Sequence, residues 1–284
     1  MNEMSGAYST PQSEKEKPQG NSAIRQDEKE KRQGVNNTVQ TEYDRLQMEC
    51  GKLGISLSEK QTEQFLLFYK MLIEKNRVMN LTAITDFHDV VIKHFVDSLS
   101  IKKIFSYYNI QPFDDAVRVM DLGTGAGFPG IPLKILFPDT EFVLADSLNK
   151  RILFLREIID ALSLKRIQVI HGRAEELARK KEYREKFDFC VSRAVANLSS
   201  LSEYCLPFVK TGGIFVSYKS GSAEEEIRSA QKAVTMLGGK IKEPLLSFTL
   251  PDTDLGRILV VTDKIKATPS AYPRKPGVPG KVPL

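Results

Sequence analysis

The run from Val117 to Gly130, Val-Arg-Val-Met-Asp-Leu-Gly-Thr-Gly-Ala-Gly-Phe-Pro-Gly, constrains this chain more than any other stretch. Val117, Val119, Met120 and Leu122 make a short apolar run suited to a strand buried on both faces. Gly123, Gly125 and Gly127 follow at alternate positions, and an apolar pattern of helical period begins near Ile131. A strand that passes through bare backbone into a helix start makes a nucleotide-binding turn. Glycine lets the main chain approach a ligand, and the free N–H groups of the first helical turn face it.

Two ligand classes satisfy this turn. From Asp121 it reads D-x-G-x-G-x-G, the usual form in S-adenosylmethionine enzymes, and from Gly125 to Gly130 it reads G-x-G-x-x-G, the dinucleotide fingerprint. Asp146, 23 positions beyond Gly123, suits the hydroxyls of a ribose in either class. The glycine spacing alone leaves an NAD-dependent oxidoreductase open.

The order of elements favours one class. After the turn, apolar runs at Glu141–Ala145, Ile167–His171, Phe187–Ser192 and Ile214–Tyr218 alternate with helical patterns at Asn149–Leu162, Glu175–Lys181, Leu198–Val209 and Ala223–Leu237. Such alternation predicts a parallel sheet with helices on both faces. Pro244–Leu250 and Arg257–Thr262 are joined by only six residues, too few for a parallel crossover, so they pair antiparallel. The fold class expected is therefore α/β, a class I S-adenosylmethionine-dependent methyltransferase: Rossmann-like, with a mostly parallel seven-stranded sheet and a terminal antiparallel hairpin.

A small helical cap is expected before it. Tyr43, Leu46, Cys50 and Leu53 recur at helical spacing, Ser58 suits an N-cap, and Asn76–Thr85 reads as a loop before a helix capped by Asp86. His94 falls on the apolar face and reads as a core histidine. Residues 1–38, rich in Gln, Lys, Glu, Ser and Asn, are expected to be disordered because they bury too little to offset ordering entropy. The expected division is thus a 1–38 extension, a 39–112 cap, a 113–263 catalytic domain and a 264–284 basic, Pro-rich tail.

Charge and cysteines bound the partners. Lys264, Lys266, Arg274, Lys275 and Lys281 carry the net charge of +5, with no acid beyond residue 263, and such a segment suits phosphate contacts. Cys50, Cys190 and Cys205 are an odd set without metal-type spacing, and His88, His94 and His171 are scattered, so no metal site is expected. No apolar run reaches 18 residues and the N-terminus is polar, which predicts a cytoplasmic protein without a membrane span.

In an open parallel sheet the ligand lies beyond the carboxyl ends of the strands. The residues there are Gly123–Phe128, Asp146, Gly172–Glu176, Ser192-Arg193-Ala194 and Lys219-Ser220-Gly221. This reading places Ala174 and Glu175 near an adenine ring. The fourth strand lacks the Asn-Pro-Pro-aromatic signature that holds an exocyclic base amine, and there is no Pro-Cys nucleophile for pyrimidine carbon 5. Arg193 stands nearest the expected reaction centre, where its fork suits the O6 and N7 edges of guanine, or a phosphate.

Six separated motifs resemble one family: Asn-Leu-Thr-Ala-Ile-Thr (80–85), Lys-His-Phe-Val-Asp-Ser-Leu (93–99), the turn extended to Leu133, Asp-Ser-Leu-Asn-Lys-Arg (146–151), Ser-Arg-Ala (192–194) and Tyr-Pro-Arg-Lys-Pro-Gly (272–277). In this order, over 41–284, they resemble the bacterial ribosomal RNA small-subunit methyltransferase G family, also called glucose-inhibited division protein B. The resemblance implies N7-methylation of a guanine in the 530 loop of 16S ribosomal RNA, with S-adenosylmethionine as donor. It also implies a link between loss of the enzyme and low-level streptomycin resistance. The cofactor contacts expected are Gly123, Gly125, Phe128, Asp146, Ser147, Leu148, Ala174, Glu175 and Arg193. The RNA contacts expected are Arg193, Lys219, Arg274 and Lys275, from a monomer meeting 16S RNA, the 30S subunit or an assembly intermediate. Guanine N7 carries a lone pair and no proton, so no general base is expected. A non-catalytic assembly factor that keeps the cofactor pocket is the reading from another class.

Overall fold

A computed structural model describes residues 38, 40–193 and 195–284. The expected disordered extension lies outside these residues, apart from Thr38. Eight strands form one sheet: β1 (Arg118–Leu122), β2 (Glu141–Asp146), β3 (Ile167–His171), β4 (Phe187–Arg193), β5 (Val209–Ser220), β6 (Gly239–Ile241), β7 (Leu246–Thr249) and β8 (Gly256–Lys264). Their spatial order is β3-β2-β1-β4-β5-β8-β6, with β7 also on β8. The first five are parallel, and β8 runs antiparallel to β5, β6 and β7. The predicted terminal hairpin is therefore present as β7 and β8. The three-residue β6 gives no periodic signal, and it makes the count eight, not seven.

The period of two in each strand sorts side chains to two faces. Val119, Phe142, Leu144, Phe189 and Val191 join one buried cluster, and Met120, Val143, Ala145 and Cys190 join another. The first face is covered by α1 (42–51), α2 (Glu59–Met79), α6 (Gly130–Leu136) and α7 (Asn149–Ala161). Between α2 and α6 in the chain lie α3 (Phe87–Val90), a π-helical turn (Val91–Val96), α4 (Asp97–Leu99) and α5 (Lys102–Tyr107). The second face is covered by α8 (Ala174–Leu177), α9 (Leu198–Cys205) and α10 (Glu224–Met236), and α11 (Val278–Lys281) lies near the chain end. The three cysteines are free and buried in these clusters.

The predicted helix starts have clear causes. Ser58 caps α2 in a reciprocal box, its hydroxyl accepting from Gln61 N while the Gln61 side chain accepts from Ser58 N. Asp86 caps α3 by accepting from Asp89 N. Three expectations are corrected. α2 runs on to Met79, and Asn76, expected in a loop, instead has its side chain accepting from Thr82 N. α8 is only four residues long. α9 stops at Cys205 because Pro207 follows, in a 3-10 turn over Leu206–Phe208 that leads straight into β5.

Glu42–Leu284 form one compact unit. Phe128, which follows the glycine turn, touches Phe68 of α2 and Phe95 of the π turn, so cap and sheet share one core. No helix among the described residues is long and apolar enough to cross a membrane.

Candidate active site

The glycine turn is built for close approach. Gly123, Gly125 and Gly127 have φ of 72°, 62° and 101°, values that L side chains rarely adopt. A Cβ on Gly123 would sit 2.5 Å from Val195 Cγ2. Beneath the turn, Asp121 is fully buried; its Oδ2 accepts from Gly130 N at 2.8 Å, and the Thr124 hydroxyl lies beside its carboxyl. Burial pushes this carboxyl up to about 7.

Asp146 ends β2 with its carboxylate held from three sides. Oδ1 accepts from Leu148 N at 2.9 Å, and Oδ2 accepts from Gly125 N at 3.0 Å and from Arg151 at 3.2 Å. The strand tip and the glycine turn are thereby locked to one another.

A cleft of about 210 Å³ opens at these strand tips. Gly123, Asp146, Ser147, Ala174 and Glu175 line it, five of the nine cofactor contacts expected. It is smaller than the roughly 300–1,000 Å³ usual for ligand sites. Val195 presses on Gly123, and Gly277 N donates to Glu175 Oε1 at 2.8 Å across the opening. The remaining four expected residues stand elsewhere. Gly125 faces Asp146 with its N–H, Leu148 is exposed beyond the rim, and Phe128 is buried behind the turn. The Arg193 guanidinium turns toward the cap. Its Nη1 bonds Asp97 Oδ2 at 3.0 Å and the carbonyls of Lys93 and His94, and its plane lies 5.1 Å over the Phe128 ring.

Asp97 is the residue that sequence reasoning missed. It is 4% exposed, and its second oxygen accepts from Arg257 at 2.9 Å, so one carboxylate faces two guanidinium groups. In the π turn just before it, which has no sequence signature, the carbonyls of Lys93 and His94 accept from Arg193 at 3.2 and 3.4 Å. His94 stacks on Phe128 at 4.6 Å and bonds Thr82 through Nε2. Burial, with Arg193 beside it, lowers this imidazole to about 4.

The residues expected to bind RNA separate. Lys275 is exposed. Lys219 bonds the Ala196 carbonyl and Glu226. Arg274 is not a free basic residue: buried Glu203 takes its Nε and Nη2 in a fork at 2.6 to 3.0 Å. Lys264 is buried too, its ammonium on the Leu206 and Val209 carbonyls and Glu185. The segment expected to be a basic, phosphate-contacting tail is stitched to the body, because these two cations meet buried acceptors.

A family model described as GidB, rRNA small subunit methyltransferase G, matches residues 61–248. The chain is 55% identical over 232 residues to the ribosomal RNA small subunit methyltransferase G of Lachnoclostridium phytofermentans, covering 82% of this chain and 93% of the relative. With that of Lysinibacillus sphaericus the identity is 50% over 233 residues, covering 82% and 95%. The chain belongs to the rRNA small subunit methyltransferase G family. Among solved structures, a precorrin-6y C5,15-methyltransferase from Geobacter metallireducens is similar at TM-score 0.43 and 12% identity, covering 58% of this chain and 87% of that one. The fold of this family member is that of the class I S-adenosylmethionine-dependent methyltransferases.

The cleft's donors and acceptors fit S-adenosylmethionine. A carboxylate at the tip of β2 suits the hydroxyls of a ribose, and the side-chain-free turn leaves room for the amino-acid end. The lining residues that the sequence reading did not bring to the strand tips are Val195, Tyr204 and Gly277. The motif 272–277 was visible, but only the fold shows that its end reaches the cleft.

Proposed function

We propose that this S-adenosylmethionine-dependent rRNA methyltransferase transfers a methyl group to N7 of a guanine in the 530 loop of 16S ribosomal RNA. Family membership supports the reaction class, and the carrying observation for the chemistry is the makeup of the site. Beside Arg193, Asp97 is committed to two arginines and His94 is held neutral. A base nitrogen that bears no proton needs neither.

When bound, the cofactor supplies a sulfonium methyl group to an in-plane lone pair. The chain's own part is to position and to balance charge. Asp146, fixed by Gly125, Leu148 and Arg151, holds the ribose; Gly123 and Gly125 let the backbone reach the amino-acid end; Ala174 and Glu175 face the adenine. Phe128, behind the turn, is the floor that carries Arg193 and His94. Arg193 and Arg257 share one carboxylate, which leaves one net positive charge to face guanine O6 or a phosphate. Exposed Lys275 is the candidate for a phosphate contact, whereas Lys219, paired with Glu226, and Arg274, paired with Glu203, are withdrawn from that role. The protein acts as a cytoplasmic monomer on 16S RNA within the 30S subunit or an assembly intermediate.

The test is transfer of tritiated methyl from labelled cofactor to 30S subunits from a strain lacking the enzyme, with mass mapping of the product. Label on N7 of one 530-loop guanine is expected. Label on another atom or another loop refutes the assignment, and RNA binding without transfer makes the chain an assembly factor.

A further inference from the structure

The C-terminal segment is fastened at several places that a free RNA-binding arm does not need. Glu203 of α9 is fully buried and takes the Arg274 fork, and it also accepts from the Arg274 backbone N at 2.7 Å. Three residues on, Gly277 donates to Glu175 and lines the cleft, its φ of 80° turning the chain toward α8. Beyond it Ser200 donates to the Pro279 carbonyl at 2.7 Å, so the strap stays on α9. A bidentate pair on a buried carboxylate fixes direction as well as distance.

We propose that residues 272–279 are a wall of the cofactor cleft, that Glu203 and Arg274 are the positioning pair that sets it, and that the Gly277 N–H is its latch on Glu175. The inference rests on the reading of this cleft as the cofactor site. It moves Arg274 from RNA binding to cofactor binding, although the residue touches no cofactor itself. Without the fork the strap lifts from Glu175, and the adenine end of the cleft opens to water.

The test is calorimetric titration of the full chain with S-adenosylhomocysteine, alongside RNA binding at several salt concentrations. Arg274→Ala weakens S-adenosylhomocysteine binding at least tenfold, and Arg274→Lys, which keeps the charge but not the fork, weakens it by an intermediate factor. The KM for the methyl donor rises while the salt slope of RNA binding stays at the wild-type value. The exchanged pair Glu203→Arg with Arg274→Glu recovers part of the affinity. Arg274→Lys keeps the test decisive should Arg274→Ala fail to fold. Unchanged or tighter S-adenosylhomocysteine binding in Arg274→Lys, or a flatter salt slope, overturns the inference. Asp146→Asn separates the two readings. If it keeps full affinity, the cleft is not the cofactor site; if it loses affinity while Arg274→Lys does not, only the strap inference falls.

Discussion

Asp97→Asn is the sharpest probe of how the cap meets the sheet. The side chain is 4% exposed and bonds Arg193 at 3.0 Å and Arg257 at 2.9 Å. Removing one partner of a buried ion pair costs about 3–5 kcal/mol, because a charge is left unpaired away from water. Both guanidinium groups retain some solvent contact, with side-chain exposures of 12% and 19%, and Asn keeps one acceptor oxygen. The loss therefore falls at the lower end, about 3 kcal/mol. At about 2–4 °C per kcal/mol for a unit of this size, Tm drops by roughly 6–12 °C. Thermal unfolding followed by circular dichroism measures it. Asp97 lies off the cleft, so S-adenosylhomocysteine affinity stays within about threefold while methyl transfer falls. A Tm change below about 2 °C would show that the two arginines find water or other acceptors. A loss of cofactor affinity with transfer intact would put Asp97 on the wrong side of the site.

Further outcomes follow from other residues. Gly123→Ala places a Cβ 2.5 Å from Val195 at a φ of 72°, which costs about 2–4 kcal/mol in backbone strain and overlap; calorimetry should show cofactor binding reduced more than tenfold. His94 is lowered to about 4, so between about pH 6.5 and pH 4 the unfolded chain takes up a proton that the folded chain refuses. Stability due to His94 is thus complete above about pH 6.5 and is lost as pH falls through that window, by up to about 3 kcal/mol. Asp121, raised to about 7, acts in the opposite sense over this range, so the His94 effect is read as the difference between wild type and His94→Gln in urea unfolding at pH 7 and pH 4.5. Phe128→Leu removes the ring beneath His94 and Arg193 and should cost about 1–2 kcal/mol in denaturant unfolding while preserving cofactor binding.

What the sequence disclosed follows from where the deciding forces are local. β1, β2 and β4 read directly because strands buried on both faces must be apolar almost throughout, as Val119–Met120 and Phe142–Ala145 are. Ser58 and Asp86 read as caps because a cap is satisfied within three residues. The glycine turn and Asp146 read because ligand approach demands bare backbone and a strand-tip carboxylate. Asp97 stayed hidden, since its meaning depends on arginines 96 and 160 positions away. Arg193 was read to the right strand tip, yet its direction is set by a π turn that no residue pattern announces. Arg274 looked like free positive charge because Glu203, which neutralises it, is 71 positions distant and otherwise reads as a surface helix residue.

The seams between the helices before β1 and the segment 244–257 set a limit on how this molecule works. Lys52 pairs with Asp252, Tyr108 donates to the Pro244 carbonyl, Lys103 lies over the Phe248 ring, and Asp97 holds Arg257. Four rivets on the β7–β8 side tie the helical lobe to its platform. On the proposed function, the RNA loop, and not this lobe, is then the part expected to rearrange as a base leaves its stack for chemistry.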